Sequence, residues 1–113
     1  MLYIREKDDN IVFKSATNNL CSRDVLTIKE ALEKEEDKKG ILNMDGVLDI
    51  NTTTLGTLKK VAQENKLSLC ALDADIFAVI NLLNYDKDFQ IYPTEQNSFE
   101  DKYEMKNRQF KVV

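Results

Sequence analysis

Histidine is absent from this chain, there is a single proline, and there are only three glycines. The missing histidine removes the commonest general base and the commonest metal ligand, which sets aside most hydrolase mechanisms and most zinc sites. So little proline and glycine leaves no room for a flexible linker or a low-complexity segment, and no repeat recurs at solenoid spacing. Cysteine is scarce too. Cys21 and Cys70 form neither a CxxC pair nor a metal spacing, so both are expected to be free in a reducing cytosol, Cys70 as a small buried hydrophobe. The longest apolar stretch, around Ile76–Leu83, falls far short of a membrane span. The start, Met1-Leu2-Tyr3-Ile4-Arg5, has no basic region followed by an apolar core and does not read as a signal peptide. A cytoplasmic location without membrane insertion is therefore expected.

Positive charge is also in deficit. Sixteen Lys and Arg face twenty Asp and Glu, for a net charge of −4, so binding to nucleic acid has no electrostatic support. What remains is ordinary for a globular chain: 113 residues, 42% hydrophobic and 32% charged. That is one domain's worth, residues 1–113, with enough apolar material for one modest core. No metal and no cofactor are expected.

The hydrophobic pattern changes period along the chain. Leu2–Arg5 and Ile11–Ala16 are β-rich runs flanking a polar turn, Glu6–Asn10, which predicts an opening hairpin. From Val25 the spacing of Val25, Ile28, Ala31 and Leu32 predicts a helix whose last exposed turns are the charge run Glu33–Lys39, with Gly40 as its stop. Ile41–Met44 fits a central strand, and Asp45-Gly46 a turn. Asn51 is a good N-cap for a helix that buries Leu55, Leu58, Val61 and Ala62. Leu67–Leu72 reads as a strand, and Asp73 caps a third helix with Ile76, Phe77, Ile80 and Leu83 facing inward. Phe89–Tyr92 is a last strand ended by Pro93, and Thr94 caps a helix using Phe99 and Tyr103. Residues 104–113 form either an extra strand or a frayed tail. Leu42, Leu58, Leu69, Ile80 and Ile91 are expected in the core. Strands alternating with helices imply an α/β fold with parallel strands, and the hairpin adds an antiparallel edge.

The segment Ile41 to Gly56 carries more than fold information. It resembles the central motif of STAS domains, the family of the bacterial anti-sigma-factor antagonists. There a hydrophobic strand leads through a short turn into Asp-Ser-Ser-Gly-Leu-Gly at the start of a helix. Here the corresponding string is Asn51-Thr52-Thr53-Thr54-Leu55-Gly56, in register from Ile41 without a gap. Asn18-Asn19-Leu20-Cys21, followed by Ile28 and Leu32, keeps the spacing of the family's Gly-Glu-Leu-Asp and first helix. Cys70-Ala71-Leu72 through Phe89-Gln90-Ile91-Tyr92 resembles its fourth strand, third helix and last strand. The resemblance implies a STAS-like mixed sheet of about four to five strands with about four helices packed on it, and the order of strands and helices puts those helices on one face.

It also implies a role. In the family the second Ser of the motif is phosphorylated, and Thr53 takes its place, with Thr52 and Thr54 as neighbouring hydroxyls. A helix N-terminus favours an anion there, although the three threonines can equally serve only to cap and open the helix. The implied partners are an anti-sigma factor that is also a serine/threonine kinase, the sigma factor it holds, and a PP2C-type phosphatase. The partner-binding residues carried over are Asn18, Asn19, Cys21, Asn51, Thr52, Thr53, Thr54 and Gly56. Three departures stand out. Asn51 replaces the opening Asp, which keeps capping and loses a charge. Thr54 replaces Gly, which stiffens the turn and narrows a partner's approach. Asn18 and Cys21 replace the earlier Gly and Asp, and Asn tolerates a left-handed turn.

Two other roles compete. One keeps the fold as a non-phosphorylated adaptor, such as a stressosome scaffold or the small STAS subunit of an ABC lipid transporter. The other is a small enzyme with Thr53 or Cys70 as nucleophile, for which the chain supplies no histidine base and no phosphate-binding glycine loop.

Overall fold

Alternating apolar and polar residues at the start give two strands, and the acidic pair between them turns the chain. β1 (Leu2–Lys7) and β2 (Asn10–Ser15) pair antiparallel, from Leu2 opposite Ser15 to Lys7 opposite Asn10. Asp8 opens the turn with φ of 55°, a left-handed value that short polar side chains accommodate. The computed structural model describes residues 1–105.

The chain then alternates. α1 (Ser22–Lys34), β3 (Lys39–Asn43), α2 (Thr52–Glu64), β4 (Leu67–Cys70), α3 (Ala74–Leu82), β5 (Gln90–Tyr92) and α4 (Glu95–Glu100) follow in turn. β2, β3, β4 and β5 run parallel to one another, each crossover being a helix. The strand order in the sheet is β1-β2-β3-β4-β5, the order of the chain itself.

Local chemistry places the helix starts. The Asn51 side chain accepts from the Thr54 N–H at 2.7 Å, Asp73 from Asp75 at 3.1 Å, and Thr94 from Asn97 at 3.0 Å. Each such cap stabilises its helix by about 1 kcal/mol. α1 is started differently: the Asp24 carboxylate accepts from the Cys21 N–H at 3.2 Å and from the N-terminal ammonium at 2.8 Å.

The period-two alternation of the strands sorts their side chains between two cores. Ile11, Phe13, Leu42, Leu67, Leu69 and Ile91 pack under α1, α2 and α3 with Val25, Ile28, Leu55, Leu58, Ile76 and Ile80. The five expected core residues, Leu42, Leu58, Leu69, Ile80 and Ile91, are all 0% exposed. The alternate positions Val12, Ile41, Cys70 and Tyr92 form a smaller core with Phe99 of α4. The Ser68 and Ser98 hydroxyls, 2.5 Å apart, join β4 to α4 there.

This corrects the expectation of helices on one face: α4 covers the opposite one. Three further expectations also give way. α1 ends at Lys34, with Glu35 as C-cap, so Gly40 is not its stop. Gly40 lies buried in β3, where a Cβ would meet Leu32 Cδ2 at 2.7 Å and Leu67 Cδ1 at 3.0 Å, so its smallness lets α1 sit close over the sheet. Leu83, placed inward by the sequence, is the C-cap of α3 and stays partly exposed. Tyr103 lies beyond α4, exposed and with φ of 65°, so it does not serve that helix. The Met105 N–H donates to Ile91 O at 2.7 Å, bringing the chain back beside β5. The remainder of the expected strand or tail, residues 106–113, lies outside the described residues.

Candidate functional site

The sequence-derived site lies past the C-terminal ends of β2 and β3, where two loops lead into α1 and α2. The backbone knits these loops together. Leu48 and Asp49 both donate to Asn18 O, at 2.8 and 3.1 Å, and Leu20 donates to Asp49 O at 3.2 Å. A parallel bridge pairs Asn19 with Asp49. The Thr17 hydroxyl bonds Asn19 O at 2.8 Å and so stiffens the first loop. Asn18 does not take the left-handed conformation allowed for it; its carbonyl is held by two donors instead.

Asn51 then opens α2, and its three threonines divide by orientation. Thr52 and Thr53 are exposed. Thr54 is fully buried, and its hydroxyl lies 3.0 Å from that of Ser22, the first residue of α1. The two helix N-termini are thus tied to each other. Thr54 therefore does not crowd a partner's approach, as its place in the motif suggests, because its branched side chain points into the molecule. The first turn of a helix has no intrahelical partner for its N–H groups, and Asn51 satisfies only that of Thr54. The Thr53 hydroxyl accordingly sits in solvent at a helix end that favours negative charge.

The other carried-over residues divide in the same way. Asn18, Asn19 and Asn51 are exposed around this entrance. Cys21 is half-buried, its thiol donating to Asp24 Oδ2 at 3.3 Å. Burial opposes ionisation of Asp24. The hydrogen bonds from the N-terminal ammonium, the Cys21 N–H and the Cys21 thiol together outweigh it, and they hold the carboxyl below its usual range. Gly56 is half-buried on α2, and a Cβ there would lie 3.8 Å from the Tyr85 hydroxyl, an ordinary contact.

Of the two aspartates near the turn, Asp45 is engaged by Lys14, whose Nζ lies 3.6 Å from its carboxylate and 3.1 Å from its carbonyl. Asp49 stays exposed and borders a small hollow with Leu48, Ile50, Asp75, Ile76 and Val79. Cys70, the second candidate nucleophile, is buried in the core on the α4 side of the sheet. Burial first, then the nearby Glu95 carboxylate, pushes its thiol up to about 12, so it stays protonated at neutral pH. A protonated, enclosed thiol is a poor nucleophile.

Ser22 was not anticipated. Its pairing with Thr54 spans 32 positions, and no local pattern announces it. Among the described residues, no group of three or more His, Cys, Asp or Glu is placed to hold a metal ion, and no helix is long and apolar enough to cross a membrane.

Comparison with known proteins bears on this arrangement. The family model for the STAS domain matches residues 4–98. TM1081 of Thermotoga maritima, whose crystal structure is described as that of a candidate anti-sigma factor antagonist, superposes with a TM-score of 0.69. The two are 19% identical, over 88% of this chain and 92% of that one. An anti-sigma-factor antagonist (STAS) domain protein of Planctomyces limnophilus gives 0.64 at 14% identity, over 88% and 96% of the two chains. The Bacillus cell fate determinant SpoIIAA, in its phosphorylated form, gives 0.55 at 11% identity, over 91% and 100%. A search of curated proteins found no match. At these identities the solved structures speak to the fold alone.

Proposed function

The chain belongs to the STAS domain family, and from that membership we propose that it is an anti-sigma factor antagonist: a protein that binds an anti-sigma factor with serine/threonine kinase activity and is switched by phosphorylation at Thr53. The observation that carries this reading is the orientation of the three threonines. Thr54 is turned inward onto Ser22, whereas Thr53 presents its hydroxyl to solvent at the opening of α2. A kinase needs such a hydroxyl, and a helix start is where the product charge is tolerated.

The mechanism is electrostatic. Unmodified, the Thr53 hydroxyl is uncharged, and a kinase can dock over α2 and the Asn18–Cys21 loop, releasing the sigma factor it held. The transfer places the nucleotide's own phosphates against Thr53. Once modified, the site carries about −1.5 to −2 charges, which repel those phosphates and must be desolvated for the complex to persist. Docking weakens, and a PP2C-type phosphatase resets the site. The ATP belongs to the kinase, and this chain contributes a nucleophilic hydroxyl without being the catalyst. Its place of action on this reading is the cytoplasm.

Trypsin releases Gly40–Lys59 as one peptide holding Thr52, Thr53, Thr54 and Thr57. Fragmentation of that peptide from the native protein is expected to locate phosphate on Thr53. Phosphate on Thr52 instead overturns the assignment to Thr53, and none under any growth condition removes the switch and leaves the adaptor role.

A further inference from the structure

α3 carries more apolar surface than its inner face uses. Ile76 and Ile80 are buried, whereas Val79, Leu82 and Leu83 are 37%, 80% and 37% exposed. They follow one another at the spacing of three and four that aligns side chains along one face. Leu48, on the loop before α2, is 62% exposed. Leu48 and Val79 border the same hollow, of about 130 Å³, with Ile50 and Ile76. Single exposed aliphatics are ordinary, but a joined set marks an interaction surface.

Charge decides what such a surface accepts. The hollow's lining includes two carboxylates, Asp49 and Asp75, and no cation. The sequence repeats this bias: neither Leu48–Ile50 nor Asp73–Leu83 contains a lysine or arginine. A second copy of the chain, docked through the same patch, would bring these carboxylates against their own counterparts. An anionic membrane surface would be repelled likewise.

We propose that Leu48 with the outer face of α3 is a docking surface for a partner protein that presents aliphatic side chains flanked by lysine or arginine. The aliphatic groups fill the hollow and cover Val79 and Leu82, and the cations meet Asp49 and Asp75. This surface lies beside the Thr53 entrance, since Leu48–Ile50 lead directly into the Asn51 cap. It does not require Thr53 to be modified, so it stands or falls separately from the phosphorylation switch.

The test uses the full chain with labelled methyl groups and two synthetic helical peptides of about 14 residues. Both carry leucines at spacings of three and four; one has lysine at the remaining positions and the other glutamate. The lysine peptide is expected to shift the methyl resonances of Leu48, Val79, Leu82 and Leu83, and the glutamate peptide to leave them in place. Leu82→Ser, at an exposed position, should weaken the lysine peptide by about tenfold. The double variant Asp49→Lys, Asp75→Lys should reverse the preference between peptides. Equal response to both peptides, shifts confined to other methyls, dimerisation through this patch, or capture by anionic vesicles would overturn the proposal.

Discussion

The hydroxyls of Ser22 and Thr54 lie 3.0 Å apart, joining the first turn of α1 to the first turn of α2 across a separation of 32 residues. Both loops that carry the candidate site end at this contact, so it sets how the Asn18–Cys21 loop and the Thr53 turn stand relative to each other. Thr54→Val keeps the shape and deletes the bond. It is expected to cost about 0.5–1.5 kcal/mol, as a single buried hydrogen bond does. Ser22→Ala should cost the same or less, and the double variant should cost less than the sum, because each single change removes the same contact. Urea unfolding of the four proteins measures this, and strict additivity would mean that the two hydroxyls do not interact.

Thr53→Glu tests the switch. A carboxylate at the start of a helix is neutral to mildly stabilising, by roughly 0.3–1 kcal/mol, so melting should match the parent or rise slightly. Affinity for the cognate kinase should fall at least about tenfold, equivalent to 1.4 kcal/mol. Thr52→Glu, one position earlier and also exposed, should weaken binding less. Equal affinities of wild type and Thr53→Glu in calorimetry would contradict the proposed regulation.

Leu58 and Ile80 occupy the main core from two different helices. Truncating either to alanine should destabilise the fold by about 2–5 kcal/mol, the range for buried aliphatics that leave a cavity. The check is the denaturation midpoint at unchanged slope. Variants that unfold like the parent would place these side chains at the surface.

The smaller core makes the protein sensitive to alkali. Burial pushes the Cys70 thiol up to about 12, and burial followed by the bond to Asp101 raises the Tyr92 phenol to about 12 as well. Their ordinary values are 9.0 and 10.0. A raised value means that the fold holds each group neutral. The stability this gives is complete below pH 9 and is lost as pH climbs from there toward 12. Denaturant midpoints should therefore fall across that window, and less steeply in Cys70→Ala and Tyr92→Phe. At neutral pH a thiol-alkylating reagent should modify Cys21 in the native protein and reach Cys70 only after unfolding.

The features legible in the sequence were those written locally. The change from period two to period 3.6 marks each strand and helix, and Asn51, Asp73 and Thr94 announce their helices by cap chemistry alone. Thr53 emerges exposed because its phase is fixed by Leu55 and Leu58, which lie in the same helix. Distance along the chain hid the rest. α4 is six residues long, with Phe99 as its principal apolar contact, too short a stripe to say which face of the sheet it covers. Gly40 follows a charge run and reads as a helix stop, yet its role depends on Leu32 and Leu67, which approach it only in the folded chain. Thr54 reads as a third exposed hydroxyl until Ser22 is placed beside it. The exposure of Leu82 and Leu83 was likewise hidden, because an apolar run of that length looks the same whether it is enclosed or half-covered.

The strands lie side by side in the order in which they are synthesised. No strand must wait for a distant later one to be inserted between itself and its neighbour. A nascent chain that has left the ribosome as far as Asn43 already holds three adjacent strands and the helix that spans the second and third. Each further helix and strand then extends one growing edge. The sheet can thus be laid down from the N-terminus during translation, with a single unfinished edge at each stage rather than several. Among the described residues β5 is the last strand to join, and α4 follows it onto the far face.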